Sequence, residues 1–283
     1  MKIGRFTDGG PAFWALVDTE SGTVQPIAGA FAEWAPALTR GGGKASLPMQ
    51  GASRPLDGLT FLPPIEKTNK VVVAGANYSK HLQQDFGLAP PARPAAFLKS
   101  YNALIGARDP IRYPPMTEQL DHEVELVVVV GAERLDHKDP LSGVLGYTVG
   151  NDVSSRDVQR SGPPGIGMDL FGAKSQDKTT GLGPWIVTRD EFPAGVQNLR
   201  LTLSVNGEMR QDGTTADMTW PVDEILKFAD SRSSFDPGDV LFTGTPDGVG
   251  QGSGKYLNPG DVVEASVEGI GSLRNVVGER SAR

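Results

Sequence analysis

The stretch Asp121-His122-Glu123-Val124-Glu125-Leu126-Val127-Val128-Val129-Val130 sets two carboxylates one residue apart at the head of an apolar run. Side chains alternate along a strand, so Glu123 and Glu125 leave the same face of one strand. Two like charges that close repel each other, and withdrawing that face from water raises the cost. A bound cation relieves both, so the stretch predicts a divalent metal held on a sheet. The alternative for Glu-x-Glu at a strand start is a solvated edge.

A third acid on another strand separates the two readings. Asp152 supplies a candidate, closing a strand expected over residues 146–151 and opening Val153-Ser154-Ser155-Arg156-Asp157. Its other reading is the N-cap of a following helix. Three carboxylates with room for water suit Mg²⁺, and Mn²⁺ or Ca²⁺ less selectively.

The 283 residues are enough for one large core or two modest ones. The 36 glycines and 22 prolines are spread along the chain, which suits many short strands joined by irregular loops. A net charge of −7 without any cluster of Lys and Arg argues against nucleic acid as a partner. The absence of cysteine excludes disulfides, thiolate nucleophiles, Cys-based zinc sites and iron–sulfur clusters. No apolar stretch reaches signal-peptide or transmembrane length, so the expectation is a cytoplasmic enzyme or binding protein without a membrane partner.

Residues 1–65 read as a small α/β unit, with short strands at 3–6, 13–17 and 23–27, a helix at 30–38, and an extended linker at Leu62-Pro63-Pro64-Ile65. Residues 66–283 form a larger unit with a buried strand at 71–75 and a short helix at 78–86. Further strands are expected at 123–130, 146–151, 185–188, 240–243 and 262–267. Leu199, Leu201, Leu203 and Val205 alternate with polar residues and run into Asn206-Gly207, a type I′ hairpin signal. Residues 221–229 predict a helix, with Asp223 and Glu224 at its positive end and Val222, Ile225, Leu226 and Ala229 along one face. Strands outnumber helices and no regular βαβα alternation is visible, so the fold class is strand-rich α+β and not doubly wound.

Serine-hydrolase, phosphate-loop and zincin signatures are absent, and the glycines at 248, 250, 252 and 254 form no dinucleotide fingerprint. What the chain does carry, in order, is Gly75-Ala76-Asn77-Tyr78 with His81; His122-Glu123-Val124-Glu125-Leu126; and Gly150-Asn151-Asp152-Val153-Ser154-Ser155-Arg156-Asp157-Val158-Gln159. Ala173-Lys174-Ser175, Gly183-Pro184-Trp185, Val205-Asn206-Gly207-Glu208, Pro237-Gly238-Asp239-Val240 and Thr243-Gly244-Thr245-Pro246 follow. On these motifs, over residues 70 to 277, the chain resembles the fumarylacetoacetate hydrolase family.

That resemblance implies a mixed β-sandwich/β-roll C-terminal domain behind a small, variable N-terminal domain, and a homodimer. It implies Glu123, Glu125 and Asp152 as ligands of the divalent ion, and a catalytic His81 on a short helix or lid. On general grounds alone His81 ranks level with His122 and His137. Lys174, Arg156, Gln159 and Tyr78 match catalytic or substrate-contacting positions, and Thr245 the residue at the substrate's carboxylate end. Singly, these read as a surface lysine, a helix-surface pair and a turn threonine.

In smaller members that cleave acylpyruvates, a glutamate often sits three residues after the lid histidine. Here that residue is Gln84, which accepts no proton at neutral pH, while Asp85 lies at i+4 from His81 and substitutes for it if the stretch is helical. The loop Gly162-Pro163-Pro164-Gly165-Ile166-Gly167 is expected at the pocket mouth.

The expected substrate is a small keto or enol acid. The first expectation is hydrolysis of a C–C bond in a 1,3-dicarbonyl acid such as an acylpyruvate, with the cation on the enol and carboxylate oxygens and His81 activating water. Lys174 and Arg156 would stabilise the departing enolate. Decarboxylation, isomerisation or hydration of related acids at the same site is the alternative, and a non-catalytic metal-binding protein the third.

Overall fold

The chain is described by a computed structural model covering residues 1–87, 89 and 91–280; residues 281–283, the end of the larger unit expected from sequence, lie outside the described residues. Its centre is the strand Val124–Val130, in which every residue is buried. Leu126, Val128 and Val130 enter one hydrophobic cluster while Val127 and Val129 enter another. Both faces of this strand are covered, which is why its sequence is a continuous apolar run with no polar alternation. Each of those side chains contributes about 1.5–3 kcal/mol by leaving water.

Around this strand runs a 12-stranded mixed sheet. Val124–Val130 pairs antiparallel with Val144–Asn151 on one side and with Val240–Phe242 on the other. Val240–Phe242 runs parallel to Val71–Gly75, which pairs in turn with Ala95–Lys99 at the edge. Beyond Val144–Asn151 lies Thr180–Thr188, and then the N-terminal strands Lys2–Thr7, Phe13–Asp18 and Thr23–Ile27. The first 65 residues therefore continue the main sheet, with Lys2 opposite Val187 and Ile3 opposite Ile186. The expected linker is also tied down: Thr60–Leu62 pairs with Lys2–Thr7, and Ile65 is buried.

One face of the large sheet packs on a five-stranded sheet formed by Ile111–Tyr113, Arg200–Val205, Glu208–Thr214, Val262–Val267 and Gly271–Arg280. Leu201, Leu203 and Val205 point inward as their alternation predicted, beside Val263, Ala265 and Val267. Asn206 and Gly207 both take positive φ, 53° and 79°, as the hairpin turn requires. Helix Val222–Asp230 adds Val222, Ile225, Leu226 and Ala229 to the same core. The opposite face is covered by helix Phe31–Ala37, whose Phe31, Trp34 and Ala35, with Leu38 just beyond, fall at i, i+3, i+4 and i+7. The result is the strand-rich α+β fold expected from sequence.

Several strands escaped the sequence reading. Ala95–Lys99 is short and edge-on, so its pattern is not one of burial. Gly271–Arg280 and Glu208–Thr214 are rich in polar residues and Gly, which mask their alternation.

Candidate active site

Antiparallel pairing explains how distant acids meet. Val124 is opposite Asn151, so the start of one strand and the end of the other lie side by side. Glu123 and Glu125 head the first strand, Asp152 follows the second, and the Asp152 amide donates to the Glu123 carbonyl at 2.8 Å. The carboxylates of Glu123, Glu125 and Asp152 offer ligand atoms within 4.8 Å of one another, and all three residues are buried. Asp152 caps no helix; Ser155 precedes Arg156–Gln159.

Neighbouring strand ends complete the site. Past Val240–Phe242 the chain lays Thr243, Gly244 and Thr245 along the acidic strand: the Gly244 amide donates to Glu125 Oε2 at 2.7 Å and the Thr245 hydroxyl to the Val124 carbonyl at 2.9 Å. Parallel to it, Val71–Gly75 ends at the same level. Ala76 takes a left-handed φ of 59° there, and the chain turns into helix Ser79–Phe86, which carries His81.

The three acids are not equivalently paired. Glu123 meets Arg156 Nη2 at 2.6 Å and Lys174 Nζ at 2.7 Å. Asp152 meets Lys174 Nζ at 2.7 Å and Lys99 Nζ at 2.6 Å. Glu125 has the Gly244 amide but no cationic side chain as an ion-pair partner among the described residues. Burial and then Asp152 and Glu123 push its carboxyl well above the ordinary range. Burial opposes the charge of Glu123 as well, but Lys174 and Arg156 outweigh it and hold that carboxyl low. A buried acid left short of positive charge beside two others is the donor set a divalent cation completes, so Glu123, Glu125 and Asp152 fit the group the family implies.

A cavity of about 270 Å³ opens onto this cluster and is lined by His81, Arg156, Gln159, Lys174 and Thr245 together with the three acids. His81 Nδ1 lies 2.7 Å from Asp85 Oδ2, and its ring stands edge-on to Phe86 at 5.2 Å between centroids. The other histidines are elsewhere. His122 is buried with Nδ1 3.2 Å from Gln211 Oε1, and His137 pairs with Asp230 at the surface. Gln84 is exposed and does not line the cavity; neither does Tyr78, which is fully buried. Thr245 receives an amide hydrogen from Gln211 Nε2 while its own proton goes to Val124. Gln159 Oε1 accepts from Arg156 Nη1 at 3.1 Å, which leaves its –NH₂ group as the donor end.

Two charged residues here were not singled out from sequence. Lys99 is fully buried between Asp152 and the Thr180 hydroxyl, and burial lowers its pKa despite Asp152. Its only signal is a lysine closing the run Ala-Ala-Phe-Leu. Asp121 accepts from Arg156 Nε at 2.7 Å and from the Gly250 and Gln251 amides at 2.6 and 2.9 Å, which aims Arg156 at Glu123. The signal was present: Asp121 continues the Glu123, Glu125 spacing one step back.

The sequence matches the family described as fumarylacetoacetate (FAA) hydrolase, C-terminal, over residues 70–278, and residues 1–64 match the Rv2993c-like N-terminal family. The chain belongs to the fumarylacetoacetate hydrolase family and is an enzyme of that superfamily. It is 36% identical to a maleylpyruvate hydrolase of Aquipseudomonas alcaligenes, over 75% of this chain and 74% of that protein. It is 35% identical to a mitochondrial oxaloacetate tautomerase of Homo sapiens, over 79% of this chain and 71% of that one. The crystal structure of 2-hydroxyhepta-2,4-diene-1,7-dioate isomerase from Mycobacterium marinum superposes with a TM-score of 0.78 at 32% identity, covering 100% of both chains. Hydrolase, tautomerase and isomerase thus share one scaffold. Among the described residues no helix is long and apolar enough to cross a membrane.

Proposed function

We propose that the protein hydrolyses a C–C bond in a small 1,3-dicarbonyl acid of the acylpyruvate type. The observation that carries this reading is His81, which lines the cavity that holds the acidic cluster and is paired with Asp85 behind it. Asp85 accepts the Nδ1 proton, which leaves Nε2 of a neutral imidazole as the base. Nε2 takes a proton from water, and the resulting hydroxide adds to the carbonyl distant from the carboxylate. Collapse breaks the C–C bond and places charge on the pyruvyl fragment as its enolate. Lys174 and Arg156, fixed by buried carboxylates, stabilise that charge, and the imidazolium returns its proton to carbon. Gln159 donates to the substrate carboxylate. A divalent cation on Glu123, Glu125 and Asp152, best Mg²⁺ with Mn²⁺ or Ca²⁺ as substitutes, would supply Lewis acidity toward the substrate oxygens.

A second reading, proton transfer without bond cleavage, is supported by the relatives named as tautomerase and isomerase. The same His81–Asp85 pair moves a proton between carbon and oxygen as readily as from water. A turnover panel with Mg²⁺ or Mn²⁺ over acylpyruvates, fumarylacetoacetate, oxaloacetate and 2-hydroxy-dienoates separates them. Two acids released from an acylpyruvate support hydrolysis. An isomer as the sole product transfers the assignment to the second reading, and CO₂ with no second acid transfers it to decarboxylation.

A further inference from the structure

The cavity has two unlike kinds of lining. Beside the acids and cations its walls include Phe86, Ala95, Ala96, Phe97, Met168 and Leu170, and the Arg156 guanidinium lies over the Phe86 ring at 5.5 Å. Phe86 and Phe97 are only part-buried and Met168 is 53% exposed, so apolar surface stands open inside a cleft. Among the described residues the cations lining this cavity are Arg156 and Lys174. Both are anchored at the acidic cluster: Arg156 to Asp121, Glu123 and Gln159, and Lys174 to Glu123 and Asp152.

We infer that the apolar wall formed by Phe97, Met168 and Leu170 makes this protein selective for 2-oxo acids whose far end is an uncharged alkyl or aryl group. Dicarboxylates are rejected. The inference rests on the reading of the site as one for keto acids. A second carboxylate at that end would surrender its hydration against aromatic and aliphatic carbon with no donor to replace it. An alkyl or aryl group there covers surface that otherwise faces water. The relatives named for oxaloacetate and maleylpyruvate act on acids charged at both ends, so selectivity divides this chain from them.

The test compares 2-oxohexanoate with 2-oxoadipate, two stable acids of equal carbon length that differ by a terminal methyl or carboxylate. Binding to the full chain is measured calorimetrically with Mg²⁺ present. The monoacid binds at least about ten-fold tighter. Met168→Arg, at an exposed position, narrows or reverses that ratio by placing a cation at the apolar wall. Equal binding of the two acids, or tighter binding of the diacid, overturns the selectivity and leaves the keto-acid reading standing. Arg93, in an adjoining groove that shares residues 95–97 as a wall, is the alternative anchor for a diacid; a diacid preference abolished by Arg93→Ala would overturn the inference in its favour. Failure of both acids to bind, with Mg²⁺ itself binding, removes the keto-acid reading and this one with it.

Discussion

Asp85 Oδ2 stands 2.7 Å from His81 Nδ1, one helical turn further along the same helix. The glycine-rich segment beyond Thr245 braces the pair: the Gly248 amide donates to Asp85 Oδ2 at 3.2 Å. A Cβ on Gly252 would meet Asp85 Oδ1 at 2.2 Å, so that position must stay bare. The acid that orients the histidine is therefore held from two sides, and Gln84, one residue earlier, is turned to solvent.

Asp85→Asn should lower kcat about 10²-fold with little change in KM, because the base loses its orientation but the binding groups stay. His81→Ala should cost about 10²–10⁴-fold. Gln84→Ala should leave both parameters near wild type. Steady-state kinetics on the three variants checks the ordering, and a large loss at Gln84 would reverse the assignment.

Glu125 makes stability depend on pH in an uncommon direction. Its folded carboxyl titrates well above the ordinary value of 4.5, so the cation-free fold keeps a proton that the unfolded chain has released. Stability from this residue is complete below about pH 4.5 and is lost as pH rises toward and through the raised folded value. Chelator-treated protein should weaken relative to Glu125→Gln as pH rises above the ordinary carboxyl value of 4.5 in urea titrations. Added Mg²⁺ displaces that proton, so its affinity should rise over the same range and the weakening should disappear.

Asp121 never touches the cavity, yet Arg156 depends on it. Asp121→Ala leaves a buried guanidinium with one carboxylate fewer and should cost about 3–5 kcal/mol of stability. Asp121→Asn keeps the shape and should show a smaller stability loss with a raised KM, since Arg156 is no longer held toward Glu123. Thermal denaturation and kinetics together separate positioning from folding.

Gly150 lies between the sheet's central contacts, where an added Cβ would meet Phe242 Cε1 at 2.4 Å and Val127 Cγ2 at 2.7 Å. Gly150→Ala should destabilise by about 1–3 kcal/mol through overpacking. It should also weaken Mg²⁺ binding, because Asp152 is two residues away on the same strand end.

The strand-period argument at Glu123 and Glu125 depends only on local geometry, which is why the acidic face was legible from sequence. Val124–Val130 was recognisable for the same reason, its burial on both faces being written as unbroken valines. Asp152 could be offered from sequence only as a candidate third acid, until the family resemblance joined it to the pair, since the antiparallel register that places it there sets Val124 opposite the distant Asn151. Lys99 was silent because nothing local distinguishes a buried lysine from a solvated one, and its partner Asp152 is 53 residues on. The apolar walls were hidden too, as Phe86, Phe97 and Met168 come from three separate segments whose meeting is a tertiary fact. Asp85 was legible because i and i+4 neighbours need only a helix.

The seam between Lys2–Thr7 and Thr180–Thr188 carries a consequence for the chain's solution behaviour. Stripping away the leading strands would lay bare the backbone donors and acceptors of Ile186 and Val187, on a strand that is largely apolar. Such a flank invites pairing with any extended peptide, including another truncated molecule. The N-terminal segment thus serves the catalytic scaffold as a selvedge, the finished margin that stops a woven cloth from unravelling.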